Sequence, residues 1–173
     1  MVRNTAFWVF ALLFLSGCST RYENHLFGGL FALTVPDYLT SMNSLNDDAQ
    51  VQLGSRNKDV FAIVRYNTWE ELKSRNRSGV AGTLEDYYDF HIENLLMEIT
   101  EPKAPGPKET KINGLDALVG YLSGNIKGEH IHYKIVMIGG KDYLYQMLVW
   151  TTSENLPEYE ADMDKLIRSF REM

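Results

Sequence analysis

The chain has 173 residues, a formal net charge of −6 and a single cysteine. That length suits one ordinary domain, which buries about 68–70% of its unfolded surface and so needs no metal or disulfide to hold a core. The acidic balance argues against nonspecific nucleic-acid binding, which needs a basic surface, and one cysteine rules out an intramolecular disulfide.

Residues 1–17 read as a signal peptide, with Arg3 near the start and an unbroken apolar run over 6–15. A membrane-spanning helix needs roughly 20 such residues, so this run is too short to span. It ends in Leu15-Ser16-Gly17-Cys18, which resembles a bacterial lipobox. The resemblance implies cleavage after Gly17, a diacylglyceryl thioether on Cys18 and a further acyl chain, such as palmitate, on the new amino terminus. The competing reading is an unmodified thiol in an ordinary signal peptide. Lipidation is favoured because the cysteine closes the apolar run and is the chain's only one. Multiple acyl chains hold a protein on a bilayer far more firmly than one. Ser19, rather than Asp, follows the cysteine; in a Gram-negative cell this implies the outer membrane, facing the periplasm. Removal of residues 1–17 takes away Arg3 and leaves 16 basic against 23 acidic side chains, a net of −7.

Residues 18–26 are read as the lipidated cysteine and a short polar tether, and 27–173 as a single domain. Residues 30–36 are a first strand closed by Pro36, which cannot donate to a ladder. Residues 50–54 and 60–66 are further strands; the near-continuous apolar start Val60-Phe61-Ala62-Ile63-Val64 suits a central strand covered on both faces. Thr68 and Glu71 form a capping box for a short helix. Residues 75–82 are a polar break. A longer helix over 84–99 is capped by Thr83 and Asp86, with Leu84, Tyr87, Tyr88, His91, Ile92, Leu95, Leu96 and Ile99 on one face. Pro102 stops it, and 101–108, with three prolines, is expected as a stiff exposed loop. A strand over 109–112 turns at Asn113-Gly114 into a three-stranded meander, 115–123, 129–139 and 142–152. Its turns fall at Asn125-Ile126-Lys127-Gly128 and Gly139-Gly140-Lys141, the glycines of the latter expected at positive φ. The last helix opens near Asn155 with Pro157 in its first turn. Tyr159, Met163, Leu166, Ile167 and Phe170 mark its buried face.

Strands in runs rather than alternating with helices define an α+β domain, a central antiparallel sheet with helices packed on it. In that order, Phe31-Ala32-Leu33-Thr34-Val35-Pro36, Thr83-Leu84-Glu85-Asp86-Tyr87, Ile112-Asn113-Gly114-Leu115 and Ile167-Arg168-Ser169-Phe170 resemble the PsbP-like family, including its DcrB-type envelope lipoproteins. The resemblance spans about residues 27–172. It implies a central antiparallel sheet sandwiched between helices, and members that mostly bind or assist other proteins.

Little in the sequence carries chemistry. There is no G-x-S-x-G elbow, H-E-x-x-H, P-loop or G-x-G-x-x-G, and the one thiol is assigned to lipid, so no enzyme and no cofactor are expected. His130 and His132 share one strand face and form a candidate metal pair if a third ligand converges; two solvent-facing side chains are the simpler reading. Asp47-Asp48 lacks the further oxygen ligands of a calcium loop. His91, on the apolar helix face, is expected to be a packed core histidine. Tyr143 and Tyr145 have opposite strand parity to Trp150, so either both faces of that strand are covered or one aromatic set lines a groove. The function expected is a membrane-anchored, noncatalytic protein-binding or assembly factor of the cell envelope. A small-ligand or metal-binding envelope lipoprotein is the alternative.

Overall fold

A computed structural model describes residues 20–75 and 82–173. Residues 1–17, expected as a signal peptide, Cys18 and most of the polar break at 75–82 lie outside the described residues. Eight strands make the main sheet: β3 (Thr40–Ser41), β4 (Val51–Ser55), β5 (Val60–Thr68), β6 (Thr100–Lys103), β7 (Lys108–Ile112), β8 (Leu115–Ile126), β9 (Glu129–Gly139) and β10 (Tyr143–Thr152). They run in the order β3-β4-β5-β10-β9-β8-β6, with β7 also on β8, and each pairing is antiparallel. A second sheet has the order β1 (Tyr22–Phe27), β2 (Phe31–Pro36) and β11 (Arg171–Glu172). The helices are α1 (Trp69–Arg75), α2 (Leu84–Leu96) and α3 (Leu156–Arg168).

The main sheet separates two apolar cores. On one face Phe31, Leu33 and Val35 of β2 and Met163, Leu166 and Ile167 of α3 close over Val64, Val136, Ile138, Met147 and Val149. On the other, Tyr88 of α2 and the following Ile99 close over Ile63, Leu118, Ile135, Met137 and Leu148. Burial of each such side chain stabilises the fold by about 1.5–3 kcal/mol. The meander is therefore apolar on both faces because both are covered, which also answers the aromatic parity. Tyr145 is fully buried on the α3 side, and Trp150 packs on the α2 side, between Phe61 and Tyr133. The α3-side layer is not helical alone, because the small sheet shares it.

The α2 helix seats closely because β8 carries glycine where it docks. A methyl at Gly120 would strike the Tyr88 ring, and one at Gly124 would strike Ile99. The expected capping box at Thr83 is formed in full: Thr83 Oγ1 accepts from Asp86 N, and Asp86 accepts from Thr83 N at 3.1 Å. The same reciprocal pair joins Thr68 and Glu71.

Four sequence expectations need correction. The tether at 18–26 gives way to β1 at Tyr22: residues 22–27 pair with β2 along the whole strand. Its middle residues, Glu23, Asn24 and His25, are polar and only Phe27 packs against the core, so the segment lacks the apolar alternation by which strands are recognised. The stiff loop over 101–108 holds β6, an exposed edge strand that accommodates Pro102 through a register shift, with Glu101 at φ 52°. Gly139 and Gly140 do not adopt positive φ. What Gly140 provides is space: the carboxylate of Glu172 and the Tyr145 ring occupy the position of its missing side chain. Positive φ falls instead on Lys127 and Gly128 (51° and 93°) in the β8–β9 turn, a mirror-image turn that matches strand twist. Finally, the helix expected over 84–99 ends at Leu96 with Met97 as its C-cap, before Pro102, which lies in β6; β3 and β11, of two residues each, are too short to leave a periodic signal.

Candidate functional site

The buried face of α3 is built by one helical repeat. Tyr159, Asp162, Met163, Leu166 and Ile167 are the helix's buried residues, so an acid sits among apolar positions. A buried carboxylate is costly unless hydrogen-bonded, and Asp162 accepts from three hydroxyls: Tyr22 at 2.5 Å, Tyr38 at 3.0 Å and Thr20 at 3.3 Å. Burial, and then the bond to Asp162, push the Tyr22 phenol up to about 12 and that of Tyr38 further in the same direction. Both phenols therefore stay protonated as donors. Lys165 Nζ lies 3.1 Å from the centroid of the Tyr22 ring, and Lys58 Nζ donates to Tyr159 Oη at 3.0 Å. The first described residues are thus fastened to α3 by side-chain chemistry as well as by β1.

A second polar cluster is built on Glu160 and Asp164, which straddle Asp162 in the helix sequence. Lys134 of β9 is 3% exposed and donates to Asp164 at 2.5 Å and Glu160 at 3.3 Å. Its Nζ lies 5.6 Å from the Tyr121 ring centroid. Lys134 shares the strand face of His130 and His132, whose simpler reading is solvent-facing, and departs from it: paired with two carboxylates, it takes a position in the α3-covered face.

The candidate metal pair lies at the start of β9. The rings of His130 and His132 are 5.2 Å apart, and His130 Nδ1 is 2.5 Å from Ser153 Oγ. Burial and the neighbouring His130 lower the pKa of His132, against an opposing effect from Glu160. No group of three or more His, Cys, Asp or Glu side chains among the described residues is placed to hold a metal ion. The two imidazoles are brought together with a hydroxyl and without a third ligand. His91, within α2, is half-buried and belongs to neither core cluster; burial and Arg65 push its pKa down to about 4. An open cleft lies between α3 and the β7–β8 pair, lined by Tyr121, Val119, Lys108 and Arg168 among others.

Sequence reasoning singled out Cys18, His130 and His132 and missed Asp162 and Lys134. Asp162 had a signal: it falls three residues after Tyr159 on the apolar face. Lys134 had a weaker one, its place in the same alternating set as Val136.

No family model matches the chain, and no curated protein matches it. Solved structures do. The cyanobacterial PsbP protein CyanoP from Synechocystis superposes with a TM-score of 0.61 at 10% identity, over 91% of this chain and 96% of that one. The Ran-binding protein Mog1p from Saccharomyces cerevisiae gives 0.58 at 13%, over 88% and 96%. LpqN from Mycobacterium tuberculosis, involved in cell envelope biogenesis, gives 0.55 at 9%, over 88% and 91%. At such identities the likeness defines the fold, which is the PsbP-like α+β sandwich.

Proposed function

We propose that this chain is a DcrB-type lipoprotein of the bacterial cell envelope, anchored through lipid on Cys18, whose PsbP-like domain binds or assembles another envelope protein without catalysis. The observation that most supports it is the shared fold: a Ran-binding protein and a protein of envelope biogenesis both use this sandwich over nearly its full length. The lipobox-like Leu15-Ser16-Gly17-Cys18 adds the anchor. In a Gram-negative cell the domain faces the periplasm from the outer membrane. Crosslinking in the native envelope, followed by identification of the captured proteins, tests the reading. Recovery of a discrete envelope partner, reduced when Cys18→Ala releases the protein from the membrane, is expected. Failure to crosslink to any envelope protein at native abundance would contradict it.

A further inference from the structure

We infer that the outer face of the layer formed by α3 and the β1-β2-β11 sheet lies against the membrane and binds its anionic lipid headgroups. This rests on the reading of Cys18 as the anchor and adds the surface that the anchor presents.

Three observations converge on that face. The first is where the chain leaves the domain. Thr20 and Tyr22 are bonded to Asp162 on α3, and the two residues from Cys18 to Thr20 span at most about 7 Å. A domain bonded this close to its acylated residue has no long leash, and the surface around its exit point is the one brought to the bilayer. The second is charge. Although the chain carries a net −6, this face presents Lys165 and Arg168 of α3 and Arg171 of β11, all exposed. Arg171 stands opposite Ala32 in β2, and Ala32 opposite Leu26 in β1, one cross-strand row on the face away from the buried Phe31, Leu33 and Val35. The neighbouring acids are engaged by protein groups: Asp162 by three hydroxyls, Glu160 by Lys134, and Asp164 by Lys134 and, at 4.0 Å, by Arg168, whose guanidinium stays 80% exposed beyond that contact. Glu158, in the first turn of α3, and Asp37, beside Tyr22, are exposed acids on this side. The third is apolar exposure. Leu26 is 60% exposed in that same row. Basic side chains around an exposed aliphatic residue match an anionic headgroup layer with acyl chains beneath it.

The test uses the acylated protein in vesicles of phosphatidylethanolamine and phosphatidylglycerol, with one fluorophore attached at Leu26→Cys or at Met97→Cys. Met97 is 78% exposed and ends α2, across the main sheet from α3; the acylated Cys18 does not react with the label. A headgroup-level quencher lipid should quench the probe at 26 at least threefold more than that at 97. Arg168→Glu with Arg171→Glu, outside the Asp162 cluster, should bring that ratio towards one. Equal quenching at the two positions, or stronger quenching at 97, overturns the inference. If mass measurement finds Cys18 without acyl chains, the anchor reading fails separately. The same chains are then floated on these vesicles and on phosphatidylcholine vesicles. Binding to the anionic vesicles that the charge reversal abolishes supports the surface; no binding, or binding indifferent to charge, overturns it.

Discussion

Replacing Asp162 by alanine removes one acceptor shared by Thr20, Tyr22 and Tyr38. Leaving such partly buried donors without a partner costs about 2–4 kcal/mol in total, so urea unfolding of Asp162→Ala should show a matching loss of stability. Lys134 behaves differently. A buried ion pair replaced by a well-packed apolar side chain is often neutral, whereas removing one charge alone is costly. Lys134→Met should therefore be less destabilising than Asp164→Ala, in which the buried ammonium loses its nearest carboxylate. His91 gives a pH signature. Its folded pKa of about 4 lies below the ordinary 6.5, so the unfolded chain binds more protons between those values. The stability it contributes is complete above about pH 6.5 and is lost as pH falls towards 4. The ceiling is about 3 kcal/mol at 1.36 kcal/mol per pKa unit, lowered by solvent around this half-buried ring. His91→Gln should flatten the pH dependence of unfolding in that window; an unchanged slope would remove His91 from the account.

At the scale of elements, the strands and helices with a full periodic pattern were legible from the residues. Glu129–Gly139 is β9 to the residue, and α3 begins at Leu156 with Pro157 in its first turn, as the spacing indicates. The elements that escaped are those whose pairing supplies the order: β1, polar over Glu23–His25, and β6, interrupted by proline. The structure makes β1 part of the domain. A chain beginning at residue 28 should lose the β1–β2 pairing and the Thr20 and Tyr22 bonds to Asp162 together, and unfold at lower urea than one beginning at residue 18. Gly120 tests the seat of α2. Gly120→Val places a branched side chain against Tyr88, and overpacking of this kind costs about 1–3 kcal/mol; an unperturbed unfolding midpoint would show that α2 shifts freely on β8.

Across the whole molecule, the sandwich could be inferred because its two covered sheet faces leave apolar residues at both strand parities. The polar sites were less legible. Asp162 and Lys134 are defined by partners 26 to 142 residues away in sequence, and no local pattern encodes such convergence. His130 and His132 were visible as a pair, but that the described residues bring no third ligand to them is a property of the folded surface. The proposed anchor lies outside the described residues and rests on the sequence around Cys18. Its most direct measurement is the intact mass of the protein extracted from cell membranes, compared with Cys18→Ala. A mature chain beginning at Cys18 and carrying acyl mass, with Cys18→Ala free of it and released from the membrane fraction, is the expected result. An unacylated wild-type chain, or acyl chains still present on Cys18→Ala, would contradict the account.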